Sequence, residues 1–132
     1  MSNWVKDIAA MHDKYGVNEV IRNLDRDKLE AFLKFRIDFL QEELDEIKKA
    51  LAEGNLEEYF DGLIDLVYVA LGAAYLAGLP FDQGFFRVHQ ANMKKMRALR
   101  TQDSKRGSTY DIVKPPGFVA PTLTDLIRKE KE

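Results

Sequence analysis

Apolar residues recur at helical spacing along the first two thirds of the chain. From Asp27 to about Glu53 the series Leu29, Phe32, Leu33, Ile37, Leu40, Leu44, Ile47 and Leu51 steps by three and four. That is the stripe of one long helix, and Gly54-Asn55 supplies its stop. A second helix starts near Leu56 and runs to Ala77, with Gly78 and Pro80 beyond. Its second half is apolar on nearly every face, which predicts burial on all sides. Asn3 to about Tyr15 reads as a first helix halted by Gly16, and the polar stretch Asn18 to Asp27 as a partly helical connection. Asp82 reads as the N-cap of a further helix that continues to about Arg100. The four prolines, Pro80, Pro115, Pro116 and Pro121, leave the first 79 residues without an obligatory helix breaker. Thr101 to Glu132 mixes Gly, Pro, Lys and Thr and reads as a loop-rich arm, with a last turn at Leu123–Lys129 started by Thr122 or Thr124. Only Tyr110–Val113 has an extended pattern.

The expected architecture is therefore all-α: a four-to-five-helix bundle built on two long antiparallel helices. Residues 1–100 are expected to form the bundle and residues 101–132 a basic arm of the same single domain. Helices of about 22–27 residues offer more apolar surface than so small a chain covers, so a homodimer or dimer of dimers is expected to complete the bundle.

Composition narrows the chemistry. The 132 residues suit one domain, and a 45% hydrophobic content fills a core without staples. The absence of cysteine excludes disulfides, zinc fingers, thiolate nucleophiles and iron–sulfur clusters. The opening Met1-Ser2-Asn3-Trp4-Val5-Lys6-Asp7 lacks the basic start and apolar run of a secretory signal. The uncharged run Leu66 to Leu79 is 14 residues, against roughly 20 for a bilayer span. A cytoplasmic protein without membrane partners is expected. The net charge of −2 conceals an asymmetry. Residues 1–92 carry 10 Lys and Arg against 17 Asp and Glu, a balance of −7, and residues 93–132 carry 10 against 5, a balance of +5. An acidic body with a basic tail does not suit duplex nucleic acid, which wants one large basic face. It suits a ligand that brings both metal cations and phosphates, and equally an attraction of the two halves for each other or for a partner subunit.

Candidate chemistry concentrates in acids. Glu42, Glu43 and Glu46 share a face of the long helix at three- and four-residue steps, where like charges repel unless something cationic neutralises them. On the next helix Asp61 and Asp65 stand four apart, Tyr68 continues that face, and Asp65 lies inside the most apolar segment of the chain. A lone buried carboxylate neutralises itself or finds a partner. A solvated face explains the glutamates and a hydrogen bond to His89 or Tyr68 explains Asp65. Together, however, two facing acid helices form an oxygen-rich cage of the kind hard cations such as Mg²⁺ or Mn²⁺ require. A di-iron bundle would need Glu-x-x-His pairs. Ala9 and Phe86 stand at that spacing before His12 and His89, so that reading fails. His89, Asn92 and Lys95 fall near one face and suit phosphate oxygens or a base edge. Lys105, Arg106 and Lys114 lie among glycines and prolines that fix a loop's path over a polyphosphate. The alternatives are a helix-end cap and a solvated tail.

The stretches Phe39-Leu40-Gln41-Glu42-Glu43-Leu44-Asp45-Glu46 and Asp61-Gly62-Leu63-Ile64-Asp65-Leu66-Val67-Tyr68-Val69 resemble the MazG-like all-α nucleoside triphosphate pyrophosphohydrolases. That superfamily also holds phosphoribosyl-ATP pyrophosphohydrolases and dimeric dUTPases. Val88-His89-Gln90-Ala91-Asn92-Met93-Lys94-Lys95, the Lys105-Arg106-Gly107 and Lys114-Pro115-Pro116-Gly117-Phe118 tail, and Met11-His12-Asp13-Lys14-Tyr15-Gly16-Val17 are similar to segments of its small bacterial and phage members. The family pattern is Glu-Glu-x-x-Glu followed by Glu-x-x-Asp. Glu42, Glu43, Glu46 and Asp65 match it, whereas Gly62 stands where the first acid of the second pair belongs and Asp61 precedes it by one residue. The resemblance implies cleavage of a nucleoside triphosphate between α- and β-phosphates, with Mg²⁺ (or Mn²⁺) held by Glu43, Glu46, Asp61 and Asp65. Glu42 or Glu43 would take a proton from water, and Lys95, Lys105, Arg106 and Lys114 would screen the phosphates. Asn92 and His89 would orient the ligand, and Tyr68 would pack on sugar or base. Gly62 keeps open a non-catalytic helical dimer that binds nucleotide or protein.

Overall fold

The computed structural model describes residues 3–128. The chain forms two compact units, one ending at Phe81 and one beginning at Asp82. The first consists of helices α1 (Trp4–Lys14), α2 (Val17–Arg22), α3 (Arg26–Ala52) and α4 (Leu56–Leu76).

Side-chain caps start three of these helices. Asn3 accepts from the Lys6 N–H at 3.1 Å, Asp25 from Lys28 at 2.9 Å and Asn55 from Glu58 at 3.0 Å. Each satisfies a first-turn donor that the helix itself leaves unpaired. Between α3 and α4 the chain reverses at Gly54, whose φ of 67° is the left-handed value that glycine adopts without strain. Asn55 N–H reaches the Ala50 carbonyl at 2.9 Å and Gly54 N–H the Leu51 carbonyl at 3.1 Å, the paired bonds of a Schellman stop. The long helices therefore pack antiparallel, and α1 and α2 lie against α4. The interior holds Ile8, Ile47, Ala50, Val69, Leu71 and Leu76.

The second half of α4 is buried or half-buried as expected, with Val67 and Tyr68 the exceptions, whereas burial of the first half is one-sided. Val69, Leu71, Gly72 and Leu76 are buried, while Phe60, Leu63, Ile64 and Val67 stay exposed because α3 and α1 cover only part of the helix's circumference. By length and composition α4 is also apolar enough to cross a membrane. Its acids and its packing against α3 and α1 are those of a core helix.

The second unit holds α5 (Phe81–Asn92) from its second residue on, a two-residue strand β1 (Met96–Arg97), a 3₁₀ turn at Thr101–Asp103, strand β2 (Ile112–Val113) and α6 (Thr124–Arg128). α5 stops at Asn92, not near Arg100. The chain turns over Met93–Lys95 so that Met96 pairs antiparallel with Val113 and Arg97 with Ile112. Lys, Met, Arg and Ala are good helix formers, and a distant strand overrides them here. Asp82 lies in the first turn of α5, its carboxylate accepting from Gln83 N–H at 2.9 Å. The extended pattern at 110–113 becomes β2. The final turn forms at Thr124–Arg128, and Lys129 lies outside the described residues. Arg87 anchors it by a fork to both oxygens of Asp125 (2.7 and 2.9 Å) and a bond to the Thr122 carbonyl (2.9 Å).

Candidate active site

The reversal at Gly54 brings the acidic stretch of α3 opposite that of α4. Glu42, Glu46 and Asp61 are exposed, and Glu43 and Asp65 are half-buried. One carboxylate oxygen of Glu43, Oε1, is buried and has no hydrogen-bond partner. Its carboxyl is pushed above the ordinary glutamate range, first by burial and then by the charges of Glu46, Asp65, Glu42 and Asp61. Asp65 is raised too, first by burial, then by the charge of Asp61 and a hydrogen bond with it. Asp61, rather than Tyr68, is the neighbour that acts on Asp65. Among the described residues no Lys or Arg forms an ion pair with any of the five acids.

Gly62 has a packing role. It is buried against α3, and a Cβ built on it would lie 2.5 Å from Cγ1 of Ile47. α4 thus approaches α3 closely at the position where the family pattern carries an acid. A side chain there would enter the helix interface, whereas Asp61, one residue earlier, stands beside Asp65 on the acid face.

Among the described residues no three Asp, Glu or His side chains form a ready-made ligand cage. The donor set nevertheless fits a hard divalent ion in kind: oxygen donors only, one of them buried and orphaned, with mutual repulsion that a cation would relieve. Glu42, Glu46 and Asp61 are exposed, and Glu43 and Asp65 are half-buried beside them.

Tyr68, 40% exposed, shares an apolar groove of about 350 Å³ with Trp4, Leu63, Ile64, Val67 and Leu71. In the second unit His89 is exposed and stacks on Phe85 at 6.4 Å, and Asn92 ends α5. Lys95 and Lys114 converge on one ring, their Nζ atoms 5.5 and 6.0 Å from the centre of Phe118. Arg106 is committed within its own loop, 2.6 Å from Asp111, which also accepts from the Ser104 hydroxyl at 2.7 Å. Lys105 is exposed.

The family model for phosphoribosyl-ATP pyrophosphohydrolase matches residues 18–92, more than half of the chain and all five acids. The chain belongs to this family. It is a pyrophosphohydrolase of the MazG-like type, a hydrolase on an all-α scaffold. A search of curated proteins returns no match.

Sequence reasoning passed over one charged residue of this pyrophosphohydrolase. Arg36 on α3 is buried, at 9% exposure. Its Nη2 donates to the Val69 carbonyl of α4 at 2.8 Å, and its Nε is buried without a partner. The guanidinium lies 5.9 and 5.3 Å from the ring centres of Phe32 and Phe39, and burial lowers its pKa. The signal was present: the stripe that steps through Leu29, Phe32 or Leu33, Leu40 and Ile47 carries an arginine where its spacing calls for an apolar residue.

Proposed function

We propose that this pyrophosphohydrolase acts on nucleoside triphosphates, dUTP or another dNTP among them, releasing the nucleoside monophosphate and pyrophosphate, with Mg²⁺ as cofactor and Mn²⁺ as a substitute. The observation that carries the reading is the five-acid cluster with its orphaned Glu43 oxygen and, among the described residues, no Lys or Arg ion pair to it. Glu43, Glu46, Asp61 and Asp65 are the residues that would hold the metal. Bound there, Mg²⁺ would offset phosphate charge and lower the pKa of a water molecule. Glu42 or Glu43 accepts the proton of the attacking water. No covalent intermediate is needed. Nucleotide-pool cleaning in the cytoplasm is the role such an activity serves, and a homodimer burying Leu63, Ile64 and Val67 is the assembly we expect. Binding without turnover was attractive because Gly62 replaces an acid. The packing of Gly62 against Ile47, with Asp61 beside Asp65, weakens that ground.

The test is pyrophosphate release from a panel of NTPs, dNTPs and phosphoribosyl-ATP with Mg²⁺ or Mn²⁺, for the parent and Asp65→Ala. Metal-dependent release by the parent and at least a hundredfold less by the variant is expected. Release confined to phosphoribosyl-ATP would overturn the substrate assignment, and equal release by parent and variant would overturn the site.

A further inference from the structure

Arg36 is an expensive residue in its place. Among the described residues it pairs with no carboxylate, its Nε goes unbonded, and its charge rests on one carbonyl and two ring faces. An apolar side chain of similar volume usually packs at least as stably as a buried charge. Stability therefore does not account for it, and its position suggests what does. Val69 lies one helical turn beyond Asp65, and Arg36 lies two turns before Glu43. The Val69 carbonyl has a second lone pair free beside its helical bond, and the guanidinium takes it. Three neighbours leave the guanidinium little freedom. Gly72 makes room for it: an added Cβ would stand 2.6 Å from Nη2 and 3.2 Å from Cε1 of His12. His12 of α1 is itself fixed, Nδ1 donating to the Ile8 carbonyl at 2.8 Å and the ring tilted on Tyr75 at 5.7 Å. Arg36 is not among the charges that act on Glu43, so its influence there is one of placement.

We infer that Arg36 is a positioning residue for the acid cluster: by holding Val69 it fixes the height of α4 along α3, and with it the placing of Asp61 and Asp65 opposite Glu43 and Glu46. The inference rests on the reading of those acids as a metal site. A slip of one residue moves α4 by about 1.5 Å, enough to spoil convergence of ligands from two helices.

The experiment follows thermal melting of the parent, Arg36→Met and Gly72→Ala in EDTA and across a Mg²⁺ and a Mn²⁺ titration. In EDTA, Arg36→Met is expected to melt at or above the parent. The metal concentration giving half of the melting shift should rise by about tenfold to a hundredfold, the usual effect of losing a residue that orients ligands. Gly72→Ala should show the same weakening, because the added methyl displaces the guanidinium from Val69 while the arginine remains. A parent-like metal response in Arg36→Met would overturn the inference and leave the proposed reaction standing. Should Arg36→Met lose fold and response together, Gly72→Ala decides: weakened metal binding supports the inference, and a normal response overturns it. No metal response in the parent would overturn the metal site, and this inference with it.

Discussion

Replacing Gly62 by glutamate would write the family's acid spacing into α4, and a reading of the sequence alone expects a better metal site from it. The helix interface predicts the reverse. The first added atom falls 2.5 Å from Ile47 Cγ1, about an ångström inside ordinary contact, and Ile47 is itself buried. Overpacking of that kind costs about 1–3 kcal/mol. Gly62→Ala recovers roughly 1 kcal/mol through helix propensity, so its net loss should be about 0–2 kcal/mol. Gly62→Glu adds a carboxylate pressed against isoleucine, a further ~1–3 kcal/mol, for a total of about 1–5 kcal/mol. In a domain of this size that lowers the melting temperature by roughly 4–18 °C. Calorimetry of the parent and both variants in EDTA and in saturating Mg²⁺ checks it, with Asp61→Ala as the comparison. Asp61→Ala should melt like the parent in EDTA, or above it, and lose metal response. A Gly62→Glu protein that melts within a few degrees of the parent and binds Mg²⁺ more tightly would refute the packing argument.

Two further outcomes follow from the electrostatics and the second unit. Glu43 and Asp65 hold protons more tightly folded than unfolded, so the folded state binds more protons between the ordinary carboxylate range and their raised values, and stability falls as pH rises through that interval. Asp103 and Asp111, lowered chiefly by hydrogen bonds from Arg100 and Arg106, act oppositely at lower pH, where stability is lost as the pH falls through their folded values. The metal-free protein should therefore melt higher near about pH 5 than near about pH 7.5, and Glu43→Gln should flatten the slope; equal slopes for parent and variant would count against a strained cluster. Arg87→Ala removes the fork to Asp125 and the bond to Thr122. It should leave the melting temperature nearly unchanged while hydrogen exchange in α6 speeds up severalfold, and unchanged protection of α6 would contradict the anchoring role.

The long helices were legible because their signals are local. Apolar steps of three and four and the Gly54-Asn55 stop need no knowledge of the rest of the chain, and the boundaries fall within a residue of expectation. The end of α5 was illegible for the complementary reason. Residues 93–100 read as helix, and the strand that claims Met96 and Arg97 lies some fifteen residues away. At the site, the face shared by Asp61 and Asp65 followed from spacing, and so did the grouping of Glu42, Glu43 and Glu46. What spacing hid was the direction in which position 62 points, since a missing side chain gives a sequence no orientation. Arg36 was hidden differently: one arginine within an apolar stripe reads as an interruption until the carbonyl it reaches, 33 residues away, is known.

The contact between Gly62 and Ile47 also bears on the order in which such a site can change over evolutionary time. An acid at 62 becomes admissible only after residue 47 has shrunk, and a shrunken residue 47 beside a glycine leaves a void until 62 is refilled. Each single exchange is a descent, although the pair of exchanges restores a filled interface. The two positions are therefore epistatic. A lineage that has placed its carboxylate at 61 and its glycine at 62 is held there by an isoleucine on another helix, and a motif search that counts residues between acids will score as defective a chain that has merely taken the other of two packed solutions.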